Sequence, residues 1–303
     1  MLFRSEHATV GAHGGVFHTF DGVQAQFGER RAVDTPISEQ AIIGLGVGAA
    51  LTGLRPIVDL MFMDFICVAL DQIVNQAAKL KYMFGGTATI PLTITTTGGA
   101  GLSAAAQHSQ SLEALLVHIP GLKVVCPSTP EDAKGLIIAA IEDPNPVLFF
   151  EHKHLYRRIK GEVPDERYLT PLGEARIHQA GEDITVITWG AMVHTATEAA
   201  AELPDLSVEI IDLRTILPWD KEAVLASVRK TSKALVLHED TRTGGFGGEI
   251  AATIAEEAFE HLDAPVRRVA APDTPVPFAP VLEKAFIPQV ADVAAALRSL
   301  SEY

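Results

Sequence analysis

Positive charge is in short supply: 24 Lys and Arg stand against 38 Asp and Glu, a net charge of −14. That balance argues against nucleic acid or an anionic membrane as the main partner. Cysteine is nearly absent. Cys67 and Cys126 each sit in an apolar context and read as reduced packing cysteines of a cytoplasmic protein. Gly, Asp or Pro interrupts every long apolar run, so no segment reads as membrane-spanning, and no basic start leads into the apolar core of a secretory signal. The patterns H-E-x-x-H, paired C-x-x-C, G-x-S-x-G and G-x-x-x-x-G-K-[ST] are all missing, which leaves zinc hydrolase, serine hydrolase and P-loop chemistry without support. There are no repeats and no low-complexity tracts.

What is present is alternation. With 303 residues and 48% hydrophobic content, the chain can bury a substantial core and suits two domains better than one. Strand-like runs at 55–61, 91–96, 123–126 and 146–150 are separated by helical patterns, including a well-signalled helix from Thr129-Pro-Glu-Asp132 to about Glu142. Charges, Pro164 and Pro171 then break the pattern, which resumes with strands at 184–190, 208–212 and 234–238. The reading is an α/β protein of parallel sheets covered by helices, with one domain over 1–160, a linker over 161–180 and a second domain over 181–303.

The chain is organised around Asp34-Thr-Pro-Ile-Ser-Glu39 and the small-residue segment that follows it. Thr35 as a cap and Pro36 in the first turn place Glu39 about one turn into a helix, with Gly44 and Gly48 on one face where another backbone can approach. A carboxylate leading a buried segment is costly unless something binds it, although the helix dipole also favours an acid there. His108 follows a glycine-rich turn after a strand end, where ligand sites gather in open parallel sheets, but it fits a surface or core histidine as well. Glu151-His-Lys-His154 suits a solvated edge as well as a site. The runs Gly44-Leu-Gly-Val-Gly48 and Gly244-Gly-Phe-Gly-Gly248 do not match the dinucleotide fingerprint; the second suits a helix start near Glu249 whose free N–H groups could hold an anion or a partner's backbone.

Six segments carry a family likeness: Asp34–Glu39, Ala105-Ala-Gln-His-Ser-Gln-Ser111, Pro120-Gly-Leu-Lys-Val-Val125, Pro127–Leu136, Asp212-Leu-Arg-Thr-Ile-Leu-Pro-Trp219 and Pro272-Asp-Thr-Pro-Val-Pro-Phe278. From about Val10 to the C-terminus the chain resembles the beta subunit of the thiamine-dependent 2-oxo acid dehydrogenase decarboxylase component. The resemblance implies a transketolase-like pyrimidine-binding domain followed by a transketolase C-terminal domain. It also implies an oxidoreductase that works with a lipoyl acceptor, with two alpha and two beta chains and a lipoyl acyltransferase core. An alpha chain would supply the diphosphate and magnesium site, in keeping with the lack here of a Gly-Asp-Gly motif followed by Asn. By positional match, Glu39 would hydrogen-bond N1′ of the thiamine diphosphate pyrimidine. Phe65 would pack on that ring, and His108 would lie beside substrate and the incoming lipoyl group. The carbonyls of Leu92, Ala140 and Asp143, with Asn145, fall where some relatives hold potassium.

The chain also departs from the family pattern. His7-Ala-Thr9 stands where relatives carry an acid, at the position of Ala8, and a shortened N-terminus is expected to lack the first strand. Thr95 stands where many relatives carry Arg after the strand, so altered substrate recognition is expected. Gln107-His-Ser109 resembles the pyruvate and acetoin branches, and Glu151-His-Lys with Asp273–Phe278 leans toward acetoin. The alternatives are a pyruvate or branched-chain subunit, or a structural, inactive one. By family analogy, contacts with a second beta chain and with the core are expected around 274–287 and the last helix.

Overall fold

Short runs of β-branched and aromatic residues, punctuated by glycine and proline, build two sheets in this computed structural model. It describes residues 14–303 and the backbone of the strand at 2–5. The first half contributes β1 (Leu2–Ser5), α1 (Val23–Phe27), β2 (Ala32–Thr35), α2 (Glu39–Leu51), β3 (Ile57–Phe62), α3 (Leu80–Met83), β4 (Thr93–Gly98), α4 (Glu113–Val117), β5 (Lys123–Val125), α5 (Pro130–Glu142) and β6 (Val147–His152). The second contributes β7 (Arg176–Gln179), β8 (Ile184–Thr188), α6 (Met192–Ala201), β9 (Val208–Asp212), β10 (Thr215–Leu217), α7 (Lys221–Thr231), β11 (Ala234–Thr241), α8 (Gly247–Glu257), β12 (Arg267–Ala271), α9 (Pro280–Phe286) and α10 (Val290–Ser301).

The first sheet runs β10-β5-β6-β4-β3-β1-β2 and the second β12-β11-β8-β9-β7. Both are parallel except at one edge each: β10 runs against β5 and β7 against β9. The first half therefore completes its sheet with a strand from the second. The core follows suit. Ile42, Val58 and Leu148 belong to the same buried cluster as Ile187, Ile211 and Ile250. Each such side chain, once fully buried, contributes about 1.5–3 kcal/mol, so the two halves are held by shared apolar surface as well as by the borrowed strand.

Several expectations are met. Thr129 caps α5, its Oγ1 accepting from Asp132 N at 3.1 Å, and Pro130 opens the helix. Others need correction. The first strand is present: β1 pairs in parallel with β2 on one side and β3 on the other. Ala8 and residues 11–13 of the glycine loop lie outside the described residues. Thr35 belongs to β2, so α2 starts after Ser38, and Glu39 is its first residue rather than one turn in. Of the glycines in α2, Gly46 makes the close approach: a Cβ there would lie 2.6 Å from Val58 Cγ2, whereas nothing lies within 4 Å of one at Gly48. The periodic run from Phe65 to Leu80 forms a 3₁₀ turn (Met63–Val68) and a π-turn (Gln72–Ala77) before α3, in place of one regular helix. Cys67 is exposed and only Cys126 is packed inside. The expected linker 161–180 ends in β7, an edge strand of the second sheet.

Candidate active site

Glu39 leads α2 and is 9% exposed. Its N-cap, Ser38, has extended backbone and makes no side-chain cap. Among the described residues, the Glu39 carboxylate has no hydrogen-bond partner. A nearly buried acceptor in that state is suited to an outside donor, and the helix N-terminus favours its charge. α2 packs on the 3₁₀ turn that carries Phe65.

Phe65 and His108 are in contact. The His108 ring meets Phe65 edge-on at 5.4 Å between centroids and Phe62 at 4.9 Å, and Phe17 joins Phe62 to Tyr156. This aromatic group fixes the imidazole at the end of a loop that leaves β4 and closes on itself where Gly99 N donates to Gln110 O at 3.1 Å. Gly99 has a φ of 81°, and a Cβ there would strike the His152 ring at 2.1 Å, so both conformation and space require glycine.

Glu151-His-Lys-His154 turns out not to be a solvated edge. His152 and Lys153 are buried, 5% and 2% exposed. His152 Nε2 is 2.8 Å from Glu239 Oε2, and Lys153 Nζ donates to Gly99 O. Burial pushes the Lys153 amine down to about 8. Burial also works on Glu239 in the upward direction, but the facing His152 ring, the Ala100 N–H and Lys153 outweigh it and hold its carboxyl below the usual range.

A second set of acids carries no signal in the sequence. Glu113, at the start of α4, is 1% exposed, and its Oε1 accepts from Trp189 Nε1 at 3.0 Å. Burial, then the charge of Asp240, pushes the Glu113 carboxyl up to about 8. The Trp189 ring stacks on His238 at 5.5 Å with 7° between the planes. Burial, then Arg268, lowers the His238 imidazole to about 4, which keeps it neutral at physiological pH. The glycine run at 244–248 serves this stack: a Cβ at Gly247 would lie 2.5 Å from the His238 ring. No periodicity reports such an acid, because its partner, Trp189, lies in the other half.

Three of the four oxygens expected to hold potassium, those of Leu92, Asp143 and Asn145, already have donors. Leu92 O accepts from Val147 N at 2.9 Å, Asp143 O from Arg55 Nη1 at 3.2 Å, and Asn145 Oδ1 from Lys81 Nζ at 2.8 Å. Arg55 Nη1 also reaches Ile141 O at 2.8 Å. Two protein cations, Arg55 and Lys81, thus stand in this corner. Thr95 lies within β4, 3% exposed, with its Oγ1 bonded to Asp59 Oδ1 at 2.9 Å, so it belongs to the sheet interior. Among the described residues, no cluster of three or more His, Cys, Asp or Glu could hold a metal, and no helix is long and apolar enough to cross a membrane.

Comparison with known proteins places these features in a family. Residues 5–159 match the transketolase pyrimidine-binding domain, and residues 173–293 match the transketolase C-terminal domain. The chain is 48% identical over 297 residues to 2-oxoisovalerate dehydrogenase subunit beta of Bacillus subtilis, covering 97% of this chain and 91% of that one. It is 51% identical over 289 residues to the acetoin:2,6-dichlorophenolindophenol oxidoreductase subunit beta of Cupriavidus necator, covering 95% and 85%. Pyruvate dehydrogenase E1 component subunit beta of Bacillus subtilis is 44% identical over 296 residues, covering 97% and 91%. Among solved structures, a split-gene transketolase described as an inactive beta4 tetramer superposes with a TM-score of 0.79 at 22% identity, over 99% of this chain and 92% of that one, which speaks to the fold alone. With two transketolase-type domains spanning most of its length and such identity to these subunits, the chain belongs to the beta-subunit family of the 2-oxo acid and acetoin dehydrogenases.

Proposed function

We propose that this chain grips the aminopyrimidine end of thiamine diphosphate in a site shared with an alpha subunit. The assembled enzyme then cleaves acetoin, or decarboxylates a 2-oxo acid, and hands the acyl group to a lipoyl group on an acyltransferase core. The observation that carries this reading is the Glu39 carboxylate, nearly buried, without a partner among the described residues, and within the stretch that matches the pyrimidine-binding domain.

Thiamine diphosphate, when bound, supplies a carbon nucleophile and an electron sink for cleavage beside a carbonyl. Glu39 would hold the proton at the pyrimidine N1′, a task for an acceptor shielded from water. Phe65 would supply apolar surface against the ring. His108, with its ring held edge-on by Phe62 and Phe65, would exchange a proton with substrate oxygen or with the lipoyl sulfur. The alpha subunit would hold the diphosphate and magnesium, with two alpha and two beta chains in the cytoplasm. Within this chain, the pyrimidine domain takes 1–160 and the C-terminal domain begins before β7; the borrowed strand β10 supports a fixed relation between them. Acetoin is our preferred substrate, on the Gln107-His-Ser109 and Glu151-His-Lys patterns and the 51% identity to an acetoin-related subunit.

The test is calorimetric titration of thiamine diphosphate and magnesium into the chain alone and into the chain purified with its alpha subunit, followed by turnover of acetoin, pyruvate and 2-oxoisovalerate. Tight binding only to the mixture, with loss of turnover in Glu39→Gln, is the expected result. Tight binding to the chain alone would show that the diphosphate site is misplaced. Turnover unchanged by Glu39→Gln would remove Glu39 from its role, and no binding in either sample would favour an inactive, structural subunit.

A further inference from the structure

The loop that carries His108 is held in place from the other half of the molecule. One limb of it offers the backbone N–H groups of Ala100, Gly101 and Ser103 to two carboxylates of the second half. Ala100 N donates to Glu239 Oε1. Glu283, on α9, takes the rest: Gly101 N at 2.9 Å, Ser103 N at 2.9 Å and Ser103 Oγ at 3.2 Å. The other limb is tied locally, with Gln110 N and Nε2 donating to Asp64 Oδ1 at 3.1 and 2.9 Å.

We infer that Glu283 is a positioning residue, a latch that acts through the loop 99–110 to keep His108 between Phe62 and Phe65. Three features argue for it. Glu283 is 4% exposed, so its hydrogen bonds meet little competition from water. Ser103 and Ala105 have φ of 55° and 62°, a left-handed backbone that non-glycine residues leave when nothing holds them. His108 N donates to Ala105 O at 3.3 Å, so the strained segment leads directly into the histidine. A carboxylate is needed because both of its oxygens accept. An amide would turn an N–H toward a backbone N–H and lose part of the cradle.

The inference rests on the proposed role of His108, and its test separates the two. In the chain assembled with its alpha subunit, Glu283→Gln is compared with wild type by amide hydrogen exchange and by steady-state kinetics. Exchange at Gly101 and Ser103 is expected to quicken at least about tenfold, the scale of one lost charge-assisted hydrogen bond. kcat should fall by a similar factor while affinity for thiamine diphosphate is unchanged, and Glu283→Asp should recover part of the loss. Unchanged exchange would overturn the latch. Faster exchange with unchanged kcat would overturn its link to His108. Should Glu283→Gln fail to assemble, Ser103→Ala removes one contact and is expected to raise exchange in the same segment; no rise would overturn the inference. Turnover unaffected by His108→Ala would sink the proposed role of His108 and the kinetic half of this inference, while exchange still decides whether the latch exists.

Discussion

Trp189, just beyond β8 in the second half, donates its indole N–H to Glu113 at the head of α4 in the first, at 3.0 Å and out of contact with solvent. The bond joins the halves through an acid that folding protonates. The unfolded value is near 4.5 and the folded value about 8, so the fold favours the protonated acid. That contribution is complete below about pH 4.5 and is lost as pH rises toward 8. Glu113→Gln resembles the protonated acid and should remove this slope. Between pH 6 and 8 the wild type is expected to lose roughly 2–3 kcal/mol relative to the variant. Urea unfolding midpoints at pH 6, 7 and 8 check this, and parallel curves would refute it.

His238 works in the opposite direction. Its imidazole drops from 6.5 to about 4 in the fold, so the unfolded chain binds more protons in that window. The contribution is complete above about pH 6.5 and is lost as pH falls toward 4. Glu113 and Asp212, whose carboxyls burial pushes up, change oppositely over part of the same range. The useful quantity is therefore the difference from His238→Phe, which keeps an aromatic ring against Trp189. That difference should shift in favour of the variant by up to about 3 kcal/mol between pH 6.5 and 4. A constant offset would mean that His238 is not held neutral.

Gly46 and Gly48 should respond with opposite signs. A methyl at Gly46 would press on Val58 Cγ2 at 2.6 Å and Leu92 Cδ1 at 2.9 Å, whereas one at Gly48 meets nothing within 4 Å. Gly46→Ala is expected to destabilise by about 1–3 kcal/mol through overpacking. Gly48→Ala should stabilise the isolated chain by roughly 0.5–1 kcal/mol through helix propensity. Thermal unfolding of both variants is sufficient, and shifts of the same sign would contradict the packing described.

Arg55 and Lys81 occupy the corner where relatives were expected to carry potassium. The melting temperature should therefore be the same in potassium chloride and sodium chloride at equal ionic strength. An ion bound at a hundredfold its dissociation constant would add about 2.7 kcal/mol, which a melting curve resolves easily. A clear rise specific to potassium would mean that an ion displaces these side chains.

The alternation of strands and helices and the cap at Thr129 were legible locally, because periodicity and capping chemistry are properties of neighbouring residues. Glu39 was legible for the same reason, as an acid heading a small-residue helix, although β2 moved the helix start past Thr35. Glu113, Glu239 and Glu283 were not. Each is an ordinary glutamate in the chain, and each is buried with its hydrogen bonds reaching the opposite half.

Local pattern thus indicates most of the strands and the capped helix α5, since those signals depend on spacing within a few residues. Tertiary structure settles the rest. It lends β10 to the first sheet, encloses the acids behind Trp189 and His152, and sets Glu283 against the loop of His108. The physical reason is that strand partnership and the burial of charge are long-range terms, decided by what lies opposite in space and invisible to any window of sequence.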